Sequence, residues 1–144
     1  MKIVVQRVTK AKVEVDNKIT GQIDNGLMLL VSFTQTDKES NIDWMINKVL
    51  NLRIFDDENG VMNKSVQDIN GSILSISQFT LYGDASKGNR PSYINALNGE
   101  EAIKLYELFN EKLRNHIKVE TGIFGAEMKV SLLNDGPVTI ILER

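Results

Sequence analysis

The feature that most constrains this chain is the two-residue alternation at its start, MKIVVQRVTKAKVEV. Ile3, Val5 and Arg7 share one parity, and Val4, Gln6 and Val8 the other. Ala11, Val13 and Val15 continue the apolar series, with Lys12 and Glu14 between them. Period two sends successive side chains to opposite faces, so the fold has to contain a sheet into which this strand fits. Charges at Lys2, Arg7, Lys10 and Lys12 also break any continuous apolar stretch here, so the segment does not read as a signal peptide.

Turn signals and period changes divide the rest. Asp16-Asn17-Lys18 and Asn25-Gly26 predict turns around a short strand near Ile19 to Ile23, and GLMLLVSF opens a mostly buried strand. Over residues 38–52 the period becomes helical, with Ile42, Met45, Ile46, Val49 and Leu50 on one stripe and Asp37 or Ser40 as candidate caps. Asp56 to Gly60 is an acidic cluster whose spacing does not fit a calcium loop, so it predicts a hairpin turn. Asn70-Gly71 is another turn, and Ser72 to Tyr82 predicts a strand. Residues 83–99 are irregular and carry Lys87, Arg90 and Tyr93; such stretches are often functional or mobile. Residues 100–116 predict a second helix, with Ala102, Leu105, Tyr106, Phe109 and Leu113 on its core face. Strand-like segments follow at Val119–Leu133, interrupted at Gly122–Gly125, and at Val138–Leu142.

Strands, helix, strands, helix, strands leave too few helices for a doubly wound fold. The class is α+β: one domain over residues 1–144, largely antiparallel sheets forming a barrel-like core, and two helices packed against them. No apolar run approaches the ~20 residues of a membrane span, and a cytosolic protein is expected.

Composition narrows the chemistry. No cysteine excludes a Cys nucleophile, a redox dithiol and thiolate-held zinc, and one histidine excludes a His-rich metal centre. His116 follows the second helix between Arg114 and Lys118, where it suits the helix dipole better than a catalytic base. A net charge of −2 argues against non-specific coating of nucleic acid, but not against contact with one end of an RNA. Two segments are unusual. In Ser77-Gln78-Phe79-Thr80-Leu81-Tyr82-Gly83-Asp84, a strand carries so many polar groups that it faces either water or a ligand. Asn134-Asp135-Gly136-Pro137-Val138-Thr139 is a turn signal, and by itself an X–Pro bond favours trans.

These two segments closely resemble those of D-aminoacyl-tRNA deacylases of the bacterial and eukaryotic type. The likeness runs from KIVVQRV through GLMLLVSF, LRIFDDENGVMNKSV, SQFTLYGD, KGNRPS and GIFGAEMKV to NDGPVT. It implies a homodimer that cleaves the ester joining a D-amino acid, or glycine, to the 3′-terminal ribose of tRNA, with no cofactor and no metal. It further implies that Gly136-Pro137 carries a cis bond and enters the partner subunit's active site, where its carbonyls hold the substrate's α-amino group. Ser77, Gln78, Phe79 and Thr80 would line the pocket, with Phe79 and Phe124 by the terminal adenosine. Met128 would sit near the Gly-Pro tip, and Arg7 would lock its orientation.

An aminoacyl ester is already activated. Positioned water, backbone N–H donors for the oxyanion and the ribose 2′-OH suffice for its hydrolysis. Thr80 has no neighbouring His to activate it as a nucleophile, so it reads as a positioning residue. Lys87 and Arg90 are candidate phosphate contacts at the acceptor end. Two other classes compete: a non-catalytic nucleic-acid-binding module, and a threonine-nucleophile amidase acting on small D-peptides.

Overall fold

The computed structural model describes residues 1–144. Strand β1 (Lys2–Val15) organises the fold. One of its edges pairs with β3 (Gly26–Ser32) and, further along, with β2 (Lys18–Ile23); the other pairs with β8 (Lys129–Glu143) along nearly its whole length. Beyond β3 come β6 (Ser72–Ser77) and β7 (Lys118–Thr121), giving the order β2-β1-β3-β6-β7 with β8 branching from β1. β2 then folds across β7: a Cβ added at Gly21 would stand 2.7 Å from Thr121 O, so glycine permits the approach that nearly closes the barrel. β4 (Phe55–Asp56) and β5 (Met62–Lys64) form the small hairpin expected at Asp56 to Gly60. Its turn is held by Asp57, which accepts the N–H groups of Asn59 and Val61.

The sheet is largely antiparallel, as expected, but not wholly so, because β3–β6 and β6–β7 are parallel. Each parallel step is bridged by a helix, α1 (Glu39–Asn51) or α2 (Gly99–Arg114), as a parallel crossover requires. Gly26 marks the first junction, where an added Cβ would fall 1.8 Å from Ser72 O.

Alternation on the strands produces two cores. Ile3, Val5, Leu27, Leu29, Val31 and Ile73 face the helices, against Ile42, Met45, Val49, Phe109 and Leu113. Val8, Ala11, Val13, Met28, Leu74 and Ile76 fill the barrel side. Both helices sit where the stripes put them. The start of α1 differs from expectation: Asp37 instead takes the Thr34 N–H and the Met1 amine, and Asn41 accepts the N–H of Lys38 to open α1. Asn98 caps α2 by accepting the Glu101 N–H at 3.1 Å.

Three predicted strands are corrected. The Ser72–Tyr82 strand stops at Ser77, and Phe79–Tyr82 forms a 3₁₀ turn. The predicted Val119–Leu133 and Val138–Leu142 strands become β7, an irregular connection over 122–128, and β8. Within β8, Gln6 pairs with Thr139 and Val8 with Asn134, so residues 135–138 loop out opposite Arg7 alone. No helix is long and apolar enough to cross a membrane.

Candidate active site

A cavity of about 540 Å³ opens at the carboxyl ends of the parallel pair β3 and β6. Val31, Ser32 and Phe33 form one wall, and Ile76 and Ser77 the next. Leu97, Gly99 and Ala102 close it from the start of α2, and Phe124 to Val130 supply the remaining side. Of the residues expected at a site, Ser77, Gln78, Phe79, Phe124 and Met128 all meet here. Gly122 lets Met128 lie back across the connection, since an added Cβ would come 2.4 Å from its sulfur.

The polar strand end explains itself locally. Gln78 N–H donates to Val31 O at 2.8 Å, the last link to β3, and the chain then turns. The turn leaves Phe79 58% exposed at the cavity mouth. Thr80 is exposed and stands off the cavity wall. Its Oγ1 accepts a hydrogen bond from Gln78 Nε2, an amide group that cannot take a proton from a hydroxyl. His116 is exposed and follows the far end of α2, about 24 Å of helix from the turn that borders the cavity.

The residue beneath, on the core face of α2, carries no mark of a site in the sequence. Tyr106 is buried, its hydroxyl donates to Ser75 O at 2.7 Å, and its ring stands 5.7 Å from that of Phe124. Burial raises the Tyr106 hydroxyl pKa, so it remains a hydrogen-bond donor under the pocket floor. Phe33, Leu97 and Ala102 were equally silent, because an apolar cavity wall and an apolar core use the same residues.

The Gly-Pro segment lies elsewhere. Gly136 and Pro137 are exposed at the tip of the looped-out residues, joined by a cis bond, with Gly136 at φ +119°. Asn134 Nδ2 clamps the loop base by donating to Arg7 O and Val138 O, each at 3.0 Å. Arg7 is 7% exposed. Its Nε donates to Asp135 O at 3.2 Å and pairs with Asp135 Oδ2 at 3.1 Å, while Nη1 donates to Ile54 O at 2.7 Å. Arg7 pairs with Leu27 on β3, whereas the cavity begins at Val31 and Ser32. The four residue steps from Leu27 to Val31 span about 13 Å of strand. Each chain therefore carries a pocket at one level of the sheet and a Gly-Pro tip at another.

Lys87 and Arg90 are exposed and lie outside the cavity wall, in a loop tied at its base by paired Asp84 and Ser92. Nowhere do three His, Cys, Asp or Glu side chains converge as a metal site would need.

A mixed, barrel-like sheet with two helices on one side and a small pocket at the ends of its parallel strands defines a class of α+β proteins. Within that class, residues 4–143 match the family model described as D-Tyr-tRNA(Tyr) deacylase, and the chain belongs to that family of ester hydrolases. It is 54% identical over 145 residues to the D-aminoacyl-tRNA deacylase of Flavobacterium psychrophilum, covering 99% of this chain and 97% of that protein. A solved structure described as c-Myc DNA Unwinding Element Binding Protein matches with a TM-score of 0.95 and 42% identity, over 100% of this chain and 99% of that one. A structure of a probable eukaryotic D-amino acid tRNA deacylase shares the fold, with a TM-score of 0.84 and 17% identity over 98% and 97% of the two chains.

Proposed function

We propose that this protein hydrolyses the ester bond of D-aminoacyl-tRNA, and of glycyl-tRNA, in a pocket completed by the Gly136-Pro137 tip of a second copy. The observation that carries the reading is the separation just described. The residues that suit an aminoacyl-adenosine gather at one level of the sheet, and the tip that suits the α-amino group stands about 13 Å along it. A chain cannot bring its own tip to its own pocket, but a two-fold pair can exchange them reciprocally. The 15-residue edge strand β8 supports the same pairing, with Ile141 67% and Leu133 48% exposed along an edge that is otherwise a liability.

In this reading the terminal adenosine lies against Phe79 and Phe124. The partner's Gly-Pro carbonyls receive the substrate's ammonium and stand where an L side chain would project, so rejection comes from a built-in clash. Glycine has nothing to reject and is accepted. The first amide groups of the Phe79–Tyr82 turn lack intrahelical partners and suit a developing oxyanion. Water attacks the ester carbonyl carbon, the bond to the ribose oxygen breaks, and the 2′-OH assists the proton's passage to the departing ribose oxygen. Thr80 positions this arrangement with Gln78 and Ser77. Lys87 and Arg90 contact acceptor-end phosphates. A tRNA substrate makes the cytoplasm its place of work.

The test compares D-Tyr-tRNA, L-Tyr-tRNA and a small D-tyrosyl ester. Rapid release from the D-tRNA alone supports the proposal. Equal release from the small ester favours the threonine-nucleophile amidase. The 42% identical relative described as a DNA unwinding element binding protein makes duplex DNA a useful fourth arm. Tight DNA binding without release from any ester would favour the non-catalytic module.

A further inference from the structure

Beside the pocket mouth lies an aromatic surface that the catalytic reading does not use. The Tyr93 ring meets Phe79 edge to face, with centroids 5.1 Å apart, and is itself 40% exposed. Ile94 follows at 79% exposed, the most open large apolar side chain in the protein. An added Cβ at Gly83 would stand 3.0 Å from the Tyr93 ring, so glycine there gives the ring its seat. The segment is not loose. Thr34 Oγ1 donates to Asn95 O at 2.7 Å, Gln35 Nε2 to Ile94 O at 2.8 Å, and Leu97 N–H to Phe33 O at 2.9 Å. Two exposed apolar side chains are thus held on backbone pinned to the end of β3, in direct continuity with a cavity residue.

Pinned, exposed rings suit the faces of unpaired bases, which stack on aromatic side chains whatever their identity. Phosphate fits poorly, because the groove on the far side of Gly83 holds Asp84 and Glu143 against Lys2 alone. We propose that Tyr93, flanked by Ile94, is a stacking platform for the unpaired nucleotide that precedes the terminal adenosine. This rests on the deacylase reading and extends it: Phe79 serves the last base and Tyr93 the one before. Tyr93 is then a positioning residue for the RNA end.

The experiment uses the full chain with two substrates, D-Tyr-tRNA and D-tyrosyl-adenosine, which lacks the preceding nucleotide. Tyr93→Ala should raise KM for the tRNA roughly 5- to 150-fold more than KM for the short ester, the range set by losing one stacked base. Tyr93→Phe should restore it. Ile94→Ser, at an exposed position that folding does not need, should raise KM for the tRNA alone. Equal effects of Tyr93→Ala on both substrates would reduce Tyr93 to a prop for Phe79 and overturn the proposal. So would an unchanged KM for tRNA with Ile94→Ser, or loss of the dimer by light scattering with either variant. If the wild type cleaves neither ester, the deacylase reading itself falls first.

Discussion

Replacing Gly136 by alanine isolates the Gly-Pro tip from everything else. At φ +119° an L side chain is strained whatever space surrounds it, and the added methyl would stand 2.8 Å from Val138 Cγ2 and 3.0 Å from Arg7 Nη2. Arg7 cannot retreat cheaply, because Ile54 O and Asp135 already hold its guanidinium. The backbone conformation costs about 1–3 kcal/mol and the overpacking a similar amount, so about 2–6 kcal/mol if the loop keeps its place. For a chain of this size that is a fall in Tm of about 4 °C or more. The loop has a cheaper escape, since residues 135–138 make no ladder with β1 and can shift outward. Either route moves the tip, and a misplacement of about 1 Å is enough to cost 10²-fold in rate. Thermal unfolding is measured beside deacylation of D- and L-Tyr-tRNA. The expected result is a lowered Tm, at least about 10²-fold slower cleavage of the D-ester, or selectivity lost against the L-ester. A variant that cleaves the D-ester at the wild-type rate with D/L selectivity intact would refute the reasoning about the tip.

Arg7→Lys keeps the charge and loses the fork, so one ammonium cannot serve Ile54 O and Asp135 together. Denaturant unfolding should show a loss of about 1.5–3 kcal/mol per abandoned charged hydrogen bond, accompanied by slower deacylation. Thr80→Ala should reduce kcat by about 10- to 100-fold, as a lost positioning contact does; complete inactivity together with a trappable acyl-enzyme in the wild type would make Thr80 the nucleophile. Burial pushes the Tyr82 hydroxyl up to about 12 from 10.0. The unfolded chain therefore ionises first, and stability falls as pH rises from 10.0 towards about 12. Melting temperatures of Tyr82→Phe should decline less over that window than those of the wild type.

Periodicity made much of this fold legible. Ile42, Met45, Ile46, Val49 and Leu50 are all buried as their stripe demands, and the alternation of β1 sends Ile3 and Val5 to one core and Val8 to the other. Ala11 and Val13 have the parity of Ile3 but join Val8, because the register shift between Val8 and Lys10 reverses the faces, which the alternation alone does not reveal. Pairing direction was not legible. Nothing local in GLMLLVSF or SILSIS says that they run parallel; the clue was Gly26, whose need shows only once Ser72 lies against it. The looped-out residues of β8 were hidden for a similar reason, since a turn signal does not say whether pairing resumes with the same neighbour. At the site, polar residues out of place in a strand, Ser77 and Gln78, pointed to the pocket, whereas Phe33 and Tyr106 looked like core until the cavity beside them was seen.

The central claim is that each active site needs a pocket from one copy and a Gly-Pro tip from another, and complementation tests it most directly. Ala126→Trp fills the pocket and spares the tip; Gly136→Ala spoils the tip and spares the pocket. Each variant alone should be inactive on D-Tyr-tRNA. Mixed in equal amounts and allowed to exchange subunits, they should recover about one quarter of wild-type activity, since half of random dimers are mixed and each mixed dimer holds one intact site. No recovery, with mixed dimers demonstrably present, would contradict a shared site.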